Sequence, residues 1–389
     1  MTSKQVIIVG CGIAGTSLAF ALKKCGINST IYESEKTPND HAGLYLYLGP
    51  NGMNVLKSLD LQNEIQDVGF FCDNMVFRNN KEKIIAEVNT NQDKSHYGSD
   101  GLIIKRGLFQ KFLREKVISN NIQIEWNKKL ESIKTDNDVV AKFKDNSDAK
   151  GDLLIGCDGL HSKTRQIIFP DAPLPKYTGV VLAGGISKNQ SKTPTNQLTF
   201  RFGSKVYLNY FVTSDREAMW GAHMKIKQDL LSDLTSVSSE TWKQKILDKF
   251  SDDSSYVSEF IENASNLTKL PLYDIESLPS WYKGSVCLVG DSAHTTTPHA
   301  GQGASLALES ALTLARCLRD TSDTEDAFSK YQSQRKPRVE KMIALARRQG
   351  EMFTATNPIK KWFRNSVLSM MIKKNSQMFD EIYDYKVDW

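Results

Sequence analysis

The chain has 389 residues, of which 24% are charged and 40% hydrophobic, and a formal net charge of +5. These values describe a folded chain of one large unit, or two sharing a core. They leave membrane-spanning and nucleic-acid-tracking proteins outside the expected classes, because there is no fully apolar span and no basic run interleaved with aromatics. Six scattered cysteines, Cys11, Cys25, Cys72, Cys157, Cys287 and Cys317, form no close pair, the pattern of a reduced, cytoplasmic protein.

In chain order, "KQVIIVG" reads as a buried strand, "AGTSLAFALKKCG" as a helix stopped by Gly26, and "NSTIYES" as a second strand. Together they form a βαβ unit. The ordered glycines and lysine finish of this apolar window argue against a signal segment. "NMVFRNNKEKIIAEV" has the texture of short antiparallel strands, and "GDLLIGCDG" is an apolar strand ending in glycine and aspartate. From Gly179 to Lys227 the alternation in "QLTFRF", "VYLNYFV" and "AMWGAHMK" predicts half-buried antiparallel strands, with "SETWKQKILDKF" and "SYVSEFIENA" as attached short helices. "GSVCLVGDSA" is another strand ending in glycine and aspartate, and after Gly303 the chain is helical almost to its end, with a break over residues 320–326. The last helical segment carries Ile359, Trp362, Phe363, Val367, Met370 and Met371 on a one-sided pattern suited to covering something.

Chemistry is concentrated in three places. Gly10, Gly12 and Gly15 stand in G-x-G-x-x-G spacing between strand and helix, with Ile13 and Ala14 at the helix start. That geometry lets a pyrophosphate approach free N–H groups at the positive end of a helix. Glu33 closes the second strand, where a carboxylate accepts the hydroxyls of an adenosine ribose and repels a 2'-phosphate, so FAD or NAD is expected there and not NADP. The strand-end aspartates Asp158 and Asp291 call for further parts of a long cofactor.

Gly10, Gly12, Gly15 and Glu33, then "CDGLHSKTR" with Asp158, Gly159, Ser162 and Arg165, then "GDSAHTTTPHAGQG", resemble the three fingerprints of the single-component (class A) aromatic-hydroxylase FAD monooxygenases. The likeness touches most of residues 1–178 and 280–340. It implies an α/β fold in which a Rossmann-like FAD-binding domain of the para-hydroxybenzoate hydroxylase type occupies 1–73, 98–178 and 280–340. An inserted, mainly antiparallel β substrate domain would occupy 74–97 and 179–279, and bridging C-terminal helices 341–389, the last a lid. The resemblance also implies non-covalent FAD, NADPH or NADH as co-substrate, and O2, with oxygen delivered from a flavin C4a-hydroperoxide and no protein nucleophile or metal. Arg106 would lie near the ribityl chain, Asp291 would accept from a ribitol hydroxyl, and Pro298 would line the space beside C4a. Gly301, Gly303 and Ala304 would present a helix start to the flavin N1 and C2 edge. Packing or backbone roles are expected for His294 and His299.

Within that class the chain most resembles the tetracycline destructases, in its length, its compact middle domain and its extra terminal helix. This implies a tetracycline-like substrate that is oxygenated and inactivated. Arg201, Phe211 and His223, with Pro298, Gly301, Trp362, Met370 and Met371, are the expected substrate contacts, although glycine precedes histidine in "WGAHMK", the reverse of the family's order. Two alternatives stay open: a hydroxylase of small phenolic acids or quinone precursors, and a flavin-bearing interaction or signalling protein. A monomer is expected.

Overall fold

Val6, Ile7, Ile8 and Val9 are all buried, as the inner strand of a parallel sheet must be, since helices cover both of its faces. In the computed structural model, which describes residues 4–41, 43–136, 138–188, 193–253, 256–374 and 377–389, this strand (Gln5–Val9) is in a six-stranded sheet. Its order is Tyr282–Lys283, Val286–Leu288, Leu153–Gly156, Gln5–Val9, Asn28–Tyr32, Gln123–Glu125. All neighbours are parallel except the edge hairpin of Tyr282–Lys283 with Val286–Leu288. Helix Ile13–Lys24 packs against helix Gly303–Asp320, which packs in turn on the long helix Thr324–Phe353. The expected α/β architecture is present.

A second sheet of seven strands runs in the order Ala264–Asp274, Lys176–Lys188, Glu217–Lys225, Tyr207–Val212, Gln197–Phe202, Asn74–Asn79, Ile84–Asn89. Its pairings are antiparallel except that of Gln197–Phe202 with Asn74–Asn79. This parallel pair joins two stretches more than 100 residues apart in the chain. Side chains on one face, among them Leu208, Tyr210, Trp220 and Ala222, pack under Trp242, Ile246 and Phe260 of the attached short helices. Side chains on the other face, Phe202, Tyr207, Phe211 and Met219, belong to the main core. Both faces are covered, and that is why alternation is muted in these strands.

The C-terminal segment is tied to the rest by a buried charge network. Glu309 on helix Gly303–Asp320 is paired with Arg335 at 2.7 Å and Arg338 at 2.9 Å and accepts from the Asn51 amide at 2.6 Å. Arg338 also donates to the carbonyls of Glu381 and Ile382. Helix Pro358–Lys374 lies against the edge strand Ile84–Asn89. Among the described residues no helix is long and apolar enough to cross a membrane.

Candidate functional site

The first motif folds as its glycines require. A Cβ on Gly15 would lie 2.0 Å from the Gly10 carbonyl oxygen, and one on Gly10, whose φ is +105°, would lie 2.5 Å from that of Cys157. Both positions are therefore closed to any side chain. Gly12 differs: a Cβ there meets nothing within 4 Å, so the space in front of the helix start is open. No side chain caps that helix and no acidic residue lies in its first turn, leaving its N–H groups and positive end for an anion. The Glu33 carboxylate accepts from the N–H of Cys11 at 2.7 Å and of Glu35 at 2.9 Å, which pins the glycine loop to the end of the second strand.

The second and third motifs are clasped together. Asp158 accepts from the Ser162 hydroxyl at 2.6 Å and from the Thr164 N–H and hydroxyl at 2.9 and 3.0 Å, so its carboxylate organises the start of the short helix Lys163–Ile168. The Arg165 guanidinium donates to the carbonyls of Ser292 and Leu160 at 2.9 and 2.6 Å, which braces the second motif against the third, and the Asp158 charge acts on it as well. Asp291 exposes surface, yet burial raises its carboxyl pKa while the Arg106 guanidinium pulls it down. Asp291 and Arg106 are thus near enough for their charges to act on one another, and both keep exposed surface.

The loop that follows places Pro298, His299 and Ala300 in one 3-10 turn, ended by Gly301 at φ +62°. The helix Gly303–Asp320 then begins, with no acidic residue in its first turn. His299 is buried against the seven-stranded sheet, its ring 4.9 Å from that of His223 and 6.4 Å from that of Tyr207. Room for it comes from Gly350, where a Cβ would stand 2.9 Å from His299 Nδ1. Tyr207 and His223 are cross-strand neighbours with ring centroids 4.8 Å apart. The Tyr45 hydroxyl donates to Asn209 Oδ1 at 2.7 Å and Asn209 Nδ2 donates to His223 Nε2 at 3.2 Å, which puts the ring proton of His223 on Nδ1.

His223 Nδ1 and His299 Nε2 are buried and have no hydrogen-bond partner. Burial drives the pKa of His223 well below the ordinary 6.5, with His299 adding to it, and burial alone takes His299 to about 4. Both imidazoles are therefore neutral near pH 7 and each offers one unused nitrogen. Where the loop meets the sheet, both nitrogens are free to make a hydrogen bond with a polar ligand.

An open cradle at Gly12, a second open glycine at Gly159, and an acid beside an arginine at the start of the third motif fit the phosphates and polyol of a dinucleotide with a long middle. Comparison with known proteins agrees, because residues 3–346 match the FAD-binding domain family. The chain belongs to that family. It is a class A flavoprotein monooxygenase, uses FAD, and takes its electrons from NAD(P)H as the family does. Similar curated proteins include the 6-hydroxynicotinate 3-monooxygenase of Bordetella bronchiseptica, 27% identical over 91% of this chain and 93% of that one. The FAD-dependent urate hydroxylase of Klebsiella pneumoniae is 26% identical over 88% and 89%. Among solved structures, a single-residue variant of Klebsiella pneumoniae HpxO complexed with FAD superposes with a TM-score of 0.89 at 24% identity, covering 98% and 99% of the two chains. The tetracycline destructase Tet(55) superposes at 0.76 and 21%, covering 100% and 99%. At these identities the structural likenesses establish the fold.

For this flavoprotein, the structure sorts the substrate residues expected from sequence. Phe211 and His223 share one sheet face with Tyr207 and Asn209, following the cross-strand register. Arg201 is corrected: it points to the opposite face, buried, with its Nε 2.5 Å from Glu82, its Nη1 3.5 Å from Asp253 and its guanidinium over Phe250. Trp362 and Met370 are 70% and 55% exposed and line an outward groove of about 570 Å³ with Asn79, Lys83, Ile84 and Ile85. The side chain of Met371 lies outside the described residues. Tyr207 and Asn209 went unnamed in the sequence although they alternate with Phe211 at period two. The part of His299 in the cluster had no sequence signal at all.

Proposed function

We propose that this monooxygenase hydroxylates a planar ring bearing a hydroxyl or keto group, held where the cofactor loop meets the seven-stranded sheet. Bound FAD, reduced by NAD(P)H, would activate O2, so that one oxygen atom enters the ring and the other leaves as water. In this reading Gly10, Gly12, Ile13, Ala14, Gly15 and Glu33 hold the adenosine and pyrophosphate, and Arg106, Asp158 and Asp291 flank the middle of the cofactor. Pro298, Gly301, Gly303 and Ala304 meet the flavin ring. The observation that carries the substrate class is the pair of neutral, buried imidazoles with free nitrogens, His223 Nδ1 and His299 Nε2. His223 Nδ1–H donates to the ring oxygen of the substrate, Phe211 and Tyr207 supply flat apolar surface, and the closed surroundings exclude water. A relative that acts on 6-hydroxynicotinate, a ring of this kind, supports the reading.

A tetracycline is the second reading. It is favoured by end-to-end coverage of the fold of Tet(55), and a tetracycline also presents a keto-enol edge to the imidazoles. The test is NAD(P)H oxidation by the FAD-loaded protein with 6-hydroxynicotinate, 4-hydroxybenzoate or tetracycline, with mass spectrometry of each product. Stimulation by a small ring with gain of one oxygen atom supports the first reading. Stimulation by tetracycline alone replaces it with the second, and stimulation by none refutes both.

A further inference from the structure

The large apolar side chains that reach solvent gather in one place. Of the eleven that the described residues expose, five are on helix Pro358–Lys374 and the edge strand Ile84–Asn89 that it lies against. Ile359, Trp362, Phe363 and Met370 of the helix are 76%, 70%, 60% and 55% exposed, and Ile84 of the strand is 47% exposed. The spacing of the four helical residues puts them within one arc of about 100° around the helix axis, with exposed Ser366 among them. Arg364 and Leu368 of the same helix are buried, and Lys361 donates to the Ser204 carbonyl at 2.7 Å. The helix is therefore seated by its other side and turns the apolar one outwards, the reverse of an ordinary surface helix. A folded monomer seldom leaves apolar surface grouped in this way unless something covers it.

Charge says what covers it. Between Met352 and Phe379 the sequence holds five cations, Lys360, Lys361, Arg364, Lys373 and Lys374, and no acid. The formal net charge of the whole chain is +5, so the rest is balanced and this stretch carries the entire excess. Beside the helix, Lys83 lines the groove with Trp362 and Met370. Lys81, Lys83 and Lys360 are exposed, and the acid between the first two, Glu82, is paired with Arg201. A second copy of this chain would bring like charges face to face across the patch. An anionic lipid surface brings the opposite charge, and its headgroup boundary accepts tryptophan, phenylalanine and aliphatic side chains.

We infer that the outward side of helix Pro358–Lys374 is a docking surface for an anionic lipid bilayer, on which the protein rests without crossing it. The four exposed apolar side chains of the helix enter the headgroup boundary, and Lys81, Lys83 and Lys360 meet lipid phosphates. The inference goes beyond the ring reading and does not depend on it. Docking would bring the enzyme to substrates that partition into lipid.

The test uses the FAD-loaded full chain and sedimenting vesicles, one set of phosphatidylcholine and one of phosphatidylcholine mixed with phosphatidylglycerol. Wild type should sediment with the mixed vesicles at low salt and be released as salt rises. Its tryptophan emission should shift to the blue on binding, and W362F should lose most of that shift, because Trp220, Trp242 and Trp281 are buried. K81Q/K83Q/K360Q should weaken binding about a hundredfold, at roughly fivefold for each cation near the surface, and W362S/F363S should abolish it. Both variants should keep the wild-type flavin content and unfolding temperature, since the side chains they change are exposed; should one misfold, the other decides. Wild type that stays in solution beside mixed vesicles, binding that ignores phosphatidylglycerol and salt, or wild-type sedimentation of a folded W362S/F363S overturns the inference. A wild-type dimer in analytical ultracentrifugation that W362S/F363S breaks, with no vesicle binding, gives the face to a second copy and overturns it too. Sedimentation needs neither substrate nor NAD(P)H, so its outcome is read apart from that of the ring reading.

Discussion

Replacing Gly12 by valine should separate folding from cofactor binding. The backbone there is extended, with φ −79° and ψ −171°, a conformation any residue adopts, and a Cβ meets no protein atom within 4 Å. The Gly12 carbonyl keeps its bonds from the N–H and hydroxyl of Thr16. Folding should therefore change by no more than about 0.5 kcal/mol, the range of substitutions that disturb no packing. The valine side chain would stand where the pyrophosphate meets the helix start. Losing two hydrogen bonds to a charged group, at about 1.5–3 kcal/mol each, removes about 3–6 kcal/mol, or roughly two to four powers of ten in Kd. Thermal unfolding of the flavin-free protein by circular dichroism reads the first effect, and FAD titration followed by flavin fluorescence quenching reads the second. A Gly12→Val protein that melts like wild type but binds FAD within tenfold of it would refute the placement of the phosphates. Gly15→Ala is the contrast, because its Cβ would sit 2.0 Å from a backbone oxygen and the fold itself should fail.

Arg201→Ala should cost about 3–5 kcal/mol of stability by stranding buried acids, seen as a lower unfolding midpoint in urea; unchanged stability with an altered KM would return Arg201 to the substrate site. His223→Ala should retain FAD but lose about 1–3 kcal/mol of ring binding, the cost of an unmade buried hydrogen bond, read as a raised KM with wild-type flavin absorbance. Acid should loosen the fold. His299 is neutral in the folded chain down to about pH 4, whereas the unfolded chain takes up the proton near the ordinary 6.5. Its contribution is complete above 6.5 and shrinks by about 3 kcal/mol as pH falls towards 4. His223 and His294 act in the same direction. Urea midpoints taken between pH 7 and 4.5 should fall steadily, and His299→Gln should flatten the slope; an unchanged slope would show that this imidazole is not held neutral.

Local signals in the chain were enough for everything that depends on neighbours in sequence. The glycine spacing at residues 10–15, the carboxylate at Glu33 and the glycine-aspartate strand ends at 158 and 291 each encode a backbone shape or a terminal charge, so cofactor class and α/β architecture could be read before any fold was seen. What alternation could not decide was which face of a strand looks inward. In the stretch from Gln197 to Lys225 both faces are covered, one by short helices and one by the main core, so Arg201 and Phe211 look equally eligible although one faces Asp253 and the other the imidazole site. The helix carrying Trp362 and Met370 shows the same limit, for its one-sided pattern was legible but its partner, the edge strand Ile84–Asn89, was not. Only the folded chain brings His299 to His223 from 76 residues away in sequence, and only there do both imidazoles prove to be buried with an unpartnered nitrogen. Charge balance and hydrogen-bond satisfaction are sums over spatial neighbours, and a linear sequence does not contain those sums.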